Sequence, residues 1–576
     1  MEDAMATFDL IVKGGTVVDG TGAKGREADV GIVGDRIVAV GKVEGSATRV
    51  IDAKGKLVTP GFVDIHTHYD AQATWDPDMT PSSQHGVTTA VMGSCGVGFA
   101  PARPDKHEWL IGLMEGVEDI PGSAMVEGIT WGWESFPEYL DVLERMPRTI
   151  DLGTQLAHGP LRAYVMGERG ARNEDATADD RQQMRILAEA ALRAGALGVS
   201  TSRTSLHRAI DGELVPGTTA DRDELLALGD ALGAAGHGVF VAACEHQNLP
   251  EEVAIFAEMS KRTGRGVTVN LSQIEAAPAL WRESLRRVEA ARAAGANIKA
   301  QVAGRAIGVV MGLELTANPL MLTAGYLEHH GEPLDARIAA LRDPAVRQRI
   351  IDGEELDLGP LGELVLKNLD KIWVVEGAMD YEPDPAQSLI GLSKKLGISP
   401  RAIAIDAMLR NDGHGLLYRP LFNYADGNLD MIRETHLNPA TLMGLSDAGA
   451  HCGAVCDGGM PTFMLSFWTR DRARGERLPL EYVVHRQTQD TAQFFGLNDR
   501  GVLAPGFRAD LNVIDYDRLG FQTPRVAYDL PAGGRRLIQD AQGYTLTMCA
   551  GVVTVEDDTL TGARPGKVLR GPQALR

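Results

Sequence analysis

The sequence predicts an α/β fold: a (β/α)8 TIM-like barrel with a small β-sandwich built from both chain ends. Three observations predict it. Short apolar strands alternate with amphipathic helices through the middle of the chain, and several of those helices stop at a glycine. The two ends share a Val-, Ile-, Gly- and Asp-rich composition broken by tight turns. Alternating helices and apolar strands make parallel βα units, and eight of them close into a barrel.

The elements follow in order. Residues 1–60 supply the N-terminal part of the sandwich, in short alternating runs such as Asp35 to Gly41. The first barrel strand is Phe62 to Ile65, the second Val87 to Met92, the third Asp151 to Ala157. Met184, Leu187, Ala188, Ala191 and Leu192 then mark one face of a helix that ends at Gly195, and Ala196 to Thr201 returns as strand four. Three more units repeat the pattern. Helices Asp223 to Ala235, Glu251 to Thr263 and Trp281 to Ala294 reach Gly236, Gly264 and Gly295. Strands Val239 to Cys244, Val267 to Ser272 and Ile298 to Val302 follow them. A glycine just past a helix takes the left-handed conformation that satisfies the last carbonyls, so each stop has a physical cause. Strand eight is Ala440 to Ser446. The barrel thus spans 61–496. An insertion at about 305–435, with helical stretches Ala336 to Arg342 and Ala386 to Lys395, is expected to cover its mouth as a lid. Residues 497–576 complete the sandwich. A doubly wound open sheet is the competing fold, but it calls for a glycine-rich loop after strand one, and two histidines stand there instead.

Composition narrows the function. A net charge of −21 argues against nucleic acid and anionic membranes as partners. The five scattered cysteines fit a reducing compartment, and the first ten residues lack a signal-peptide core, so a cytoplasmic location is expected. A small molecule is the expected partner, and homo-oligomerisation is left open.

The strand ends carry the chemistry. His66 and His68, at i and i+2, point the same way beyond strand one. Strand two is followed by Cys95, strand three by His158, and strand eight by Asp447 with His451 behind it. Two imidazoles, a thiolate and a carboxylate from separate strands suffice to hold one Zn²⁺. Such an ion polarises a carbonyl and lowers the pKa of its water toward ~7, and Asp447 would relay the proton to a leaving amine. Each residue also has a plainer reading: Cys95 as a small buried apolar group, His158 as a structural hydrogen-bonder, Asp447 as a turn residue.

PGFVDIHTHYD, GVTTAVMGSCGVGFAP, GALGVSTSR, MGLSDAGAH and RGVLAPGFRADLNVID, in this order, resemble the amidohydrolase superfamily and most closely its D-aminoacylase (N-acyl-D-amino-acid deacylase) branch. IVKGGTVVDGTG at the start and PGKVLRG near the end extend the resemblance over nearly the whole chain. It implies a β-sandwich plus barrel, a metal-activated water and amide hydrolysis. His66, His68 and Asp447 match the family's first metal site, with Asp447 as its acid/base, and Cys95 stands for the modified lysine that bridges two metals elsewhere. The chain departs from the pattern on strands five to seven. Strand five ends in Cys244-Glu245-His246, so that either His246 or Glu245 could be a ligand. On strand six Gln273 stands where a histidine is expected, with Glu275 in place of a lysine, and Gln301-Val302-Ala303-Gly304 replaces a D-x-Y-P-Y stretch. Neutral glutamine is a poor zinc ligand, so one ion is expected rather than two. His158, Gln273 and Arg203, the last equally readable as a surface ion pair, are the candidate substrate contacts.

The expected function is metal-dependent hydrolysis of a C–N amide bond in an N-acyl amino acid or related small amide. The alternatives are a single-metal hydrolase of a cyclic amide or another non-peptide C–N or C–C bond and, outside enzymes, a non-catalytic scaffold with the same fold.

Overall fold

A computed structural model describes residues 7–575. Residues 1–6 and 576, which the sequence reading counts in the terminal β segments, lie outside them. Eight parallel strands form the barrel in two arcs. Phe62–Asp64, Val87–Met92 and Asp151–Thr154 make the first arc. The second runs from Leu156–Ala157 through Gly198–Arg203, Val239–Cys244, Gly266–Asn270 and Ile298–Val302 to Thr441–Met443. The third barrel strand breaks at Gln155: its first half pairs with strand two and its second with strand four. Strands one and eight close the ring just past their ends, where the His68 amide donates to the Ala448 carbonyl at 2.8 Å and the Asp447 amide to that of His66 at 3.2 Å. Closure therefore occurs at the residues expected to carry the chemistry.

The strands are buried along their length, as parallel strands covered by helices must be. The covering helices start and stop as their sequences dictate. Ala178–Ala194 opens on a Thr177/Asp180 capping box, and Arg222–Ala235 on Asp221, whose carboxylate accepts from the Glu224 amide. Gly236 and Gly264 end two of them at φ 76° and 69° with open space where a side chain would stand, so the demand there is conformational and not steric.

The chain ends meet in one nine-stranded sheet. Leu57–Pro60 pairs antiparallel with Leu511–Ile514, joining strands Thr7–Val17, Arg26–Val33, Arg36–Gly41 and Ser46–Asp52 to Tyr544–Cys549, Val552–Glu556 and Thr559–Leu560. Its buried side chains form a core separate from the main barrel core.

The insertion differs in detail from expectation. It contains helices at Leu334–Arg342 and Leu389–Leu396, close to those expected, and others that include Ala324–His330, Pro344–Asp352, Gly359–Leu366 and Pro400–Met408. It also holds an unforeseen three-stranded sheet of Ile307–Met311, Leu417–Phe422 and Trp373–Val374. Leu341, Ile350, Ile405 and Met408 give it a core of its own. Its first and last strands are far apart in sequence, so no local pattern could reveal the pairing.

Candidate metal centre and cavity

His66 and His68 follow strand one and are buried, with ring centroids 5.6 Å apart. Thr67 between them faces away: its hydroxyl donates to the Val91 carbonyl at 2.9 Å, tying strand one to strand two. The His66 ring is held from the strand-seven side. Gln301 donates its amide N–H to Thr268, leaving Oε1 to accept from His66 Nδ1 at 2.8 Å. That bond leaves the Nε2 lone pair facing the cup. Cys95 Sγ lies 3.4 Å from His66 Nε2, and Asp447 Oδ1 lies 3.2 Å from His66 Nε2 and 3.4 Å from His68 Nε2. His66, His68 and Cys95 offer ligand atoms all within 4.8 Å of one another, and Asp447 joins through the two imidazoles.

The backbone is strained where it turns into this cluster. Cys95, Leu445, Asp447 and His451 all take positive φ, between 48° and 59°. Such residues persist where surrounding structure holds them, and they gather at functional sites. Both nitrogens of buried His68 lack a hydrogen-bonding partner, as does Glu118 Oε1 facing Nδ1 at 3.2 Å. Unsatisfied buried imidazole nitrogens beside a thiol and a carboxylate are a donor set suited to a divalent ion of the zinc type.

Electrostatics follow from burial and proximity. Burial would raise the Asp447 pKa, but the bonds and charges of His66 and His68 outweigh it and hold the carboxylate well below its usual range. Burial drives His68 down to about 4. The Cys95 thiol is pushed up by burial, then by the charges of Glu118 and Asp447, and Glu118 itself is raised by burial and by Asp447 and Asp70. Without a cation these acids repel one another; a divalent ion reverses that balance.

Glu118 had no signal in the sequence. It ends the helix His107–Glu118 and reaches the cup only because that helix folds back over it, placing its carboxylate near His68 and 3.5 Å from His451 Nε2. His207 lines the same cavity, with Nδ1 2.9 Å from the Ser202 hydroxyl.

The expected substrate contacts are placed elsewhere. His158 is buried against Glu224, at 2.8 Å, and Thr201; Arg162 shares the same carboxylate. Arg203 binds Glu252 at 2.6 Å and the Ala220 carbonyl. Gln273 turns to the insertion, donating to Asp426 at 2.8 Å and accepting from the Ala425 amide. None of the three lines the cavity over the cluster, because each has found a structural partner. Of the strand-five candidates, Glu245 accepts from Thr204 and Ser205, while His246 lines the cavity and packs edge-on against Phe422. Glu275, where a lysine was expected, is held by Arg419 and Lys371.

A closed parallel barrel with its polar cluster at the carboxyl ends of the strands is the architecture of a barrel enzyme. The comparisons make this specific. Residues 49–555 match the profile described as "Amidohydrolase family", and the chain belongs to that family. It is 28% identical to D-aminoacylase from Alcaligenes xylosoxydans xylosoxydans over 98% of this chain and 97% of the relative. Among solved structures it is similar to a D-aminoacylase studied for its binuclear metal centre, with 26% identity and a TM-score of 0.64 over 98% of this chain and 99% of that one. It also shares the fold of N-acyl-D-glutamate deacylase from Bordetella bronchiseptica, solved with zinc and a phosphonate inhibitor, with 23% identity and a TM-score of 0.65 over 98% of this chain and all of that one. Among the described residues no helix is long and apolar enough to cross a membrane.

Proposed function

We propose that this chain is a metal-dependent hydrolase that cleaves a C–N amide bond. The observation that carries the reading is the convergence of His66, His68, Cys95 and Asp447 from strands one, two and eight at the floor of one cavity. Those four would hold the ion, one zinc rather than two, since Gln273 is engaged with the insertion and Glu245 with a loop. When bound, the ion supplies Lewis acidity toward the amide carbonyl and acidifies water.

The chain's own groups do the rest. Gln301 fixes the His66 tautomer. Asp447, anionic at neutral pH, accepts a proton from the attacking water and delivers it to the departing nitrogen. Apolar residues of the insertion line the wall above the floor. We assign residues 61–496 to the catalytic barrel, about 305–435 to its lid, and 1–60 with 497–576 to a β-sandwich made by the nine-stranded sheet.

The test is metal content and amide turnover measured together. One equivalent per chain, lost with activity in His66→Ala, is the expected result. Turnover that survives complete metal removal would sink the reading.

A further inference from the structure

The cavity over the cluster has a volume of about 500 Å³, the size that takes a ligand of drug-like dimensions. Its wall away from the floor is apolar. Ile307, Val309, Met321, Val365, Leu366 and Phe422 all face it, and all belong to the insertion. The charged groups among its described lining residues are acids: Glu115, Glu118 and Asp119 beside Asp447.

These acids are already occupied. Glu115 accepts from the Gly122 amide at 2.9 Å, and Asp119 from the Thr316 hydroxyl at 2.9 Å and the Gly453 amide at 3.2 Å. Glu118 faces His68 and His451. Cations from neighbouring elements are engaged as well. Arg203 is held by Glu252, Arg419 and Lys371 both by Glu275 at 3.0 Å, and Arg305 by Asp457 at 2.9 Å. No lysine or arginine stands among the described lining residues, so a carboxylate brought against the insertion's wall would meet apolar carbon without a lining cation to pair it.

Resting on the amide-hydrolase reading above, we propose that the substrate is a neutral amide bearing an extended apolar group and no carboxylate beside the scissile bond. Hydrolysis adds the water hydroxyl to the carbonyl carbon and its proton to the nitrogen as the C–N bond breaks. The products are a carboxylate, which this wall would expel, and an amine.

A matched pair tests this: N-octanoyl-leucine, as both enantiomers, against N-octanoyl-3-methylbutylamine, which is the same molecule without its carboxylate. On the metal-loaded protein, the neutral amide is expected to be cleaved with kcat/KM at least about tenfold higher than either acid. N-octanoyl amides should exceed their N-acetyl counterparts. Met321→Lys, which adds a cation to the wall, should narrow the gap between acid and neutral amide. Equal or faster cleavage of either acid would overturn the proposal while leaving the amide-hydrolase reading intact, and so would equal use of the acetyl amide. If neither compound is cleaved by protein shown to hold its metal, the earlier reading fails. The cavity's preference is then read by calorimetry, where tighter binding of the acid overturns this inference and at least tenfold tighter binding of the neutral amide upholds it.

Discussion

Two sides of one cup differ sharply. On the side of strands one, two and eight, His66, His68, Cys95 and Asp447 turn their polar atoms toward each other, and both nitrogens of His68 go without a protein hydrogen bond. On the side of strands five and six, two residues expected to act have structural partners instead: Glu245 in the Thr204–Ser205 loop, Gln273 in the Asn423–Asp426 turn of the insertion. The difference teaches that a residue's height in the barrel does not by itself make it a ligand. What matters is whether a nearer partner has already claimed it. Gln273 is spent on anchoring the insertion, and Glu245 on the loop after strand four.

Substitutions break this comparison in order of effect. The largest belongs to Asp447→Asn, which keeps the shape and removes the proton acceptor. Steady-state turnover of an amide should fall by about 10²- to 10⁴-fold, the range for a general acid–base group, and a loss below tenfold would deny Asp447 that role. Next comes Gln301→Leu, which frees the His66 ring without touching the cluster. Competition with a chelator should show metal affinity weakened by about 10- to 100-fold, as for other groups that orient a ligand. Unchanged affinity would mean that the His66 ring needs no such support.

Gln273→Leu is the counterpart on the other side. It should leave metal content at its wild-type level and cost roughly 1–3 kcal/mol through the unsatisfied Asp426 and Ala425 groups, read as a lower denaturation midpoint or faster proteolysis of the insertion. Metal loss in that variant would erase the distinction between the two sides.

Buried histidines outside the cup sharpen the contrast from a third direction. His85 and His436 are held neutral by burial, at about 4 and about 3, and line no part of the cavity over the cluster. Their folded pKa values lie below the unfolded value of about 6.5, so the unfolded chain binds more protons once pH drops below that point. Stability is full above it and declines toward the folded values, by about 1 kcal/mol per histidine at pH 5.5. Set against the wild type, His436→Gln should lose less of its thermal midpoint between pH 7.5 and 5.5. Equal changes in the two proteins would show that the His436 ring protonates without cost.

Much of the fold was legible because its signals are local. Each βα unit announces itself by an apolar run, a helical period and a terminating glycine, and the eight expected strands all occur, with ends shifted by a few residues. His66, His68, Cys95 and Asp447 were legible for a related reason: strand ends in a parallel barrel face one cup. Glu118 was not, because the end of a loop helix carries no mark of what that helix folds against. His158 and Arg203 were expected in the cup and are elsewhere. Glu224 and Glu252, which hold them, come from helices whose side chains the local pattern assigns only to a face.

The sequence by itself determined the barrel, the kinship of the chain ends and the corner where a metal could sit, since periodicity, punctuation and strand polarity act over a few residues. Tertiary structure alone decided which polar groups stay free, because that depends on partners hundreds of residues away. It decided the character of the cavity as well: the insertion's sheet pairs Ile307–Met311 with Leu417–Phe422, and the apolar wall above the metal corner exists only once that pairing has formed.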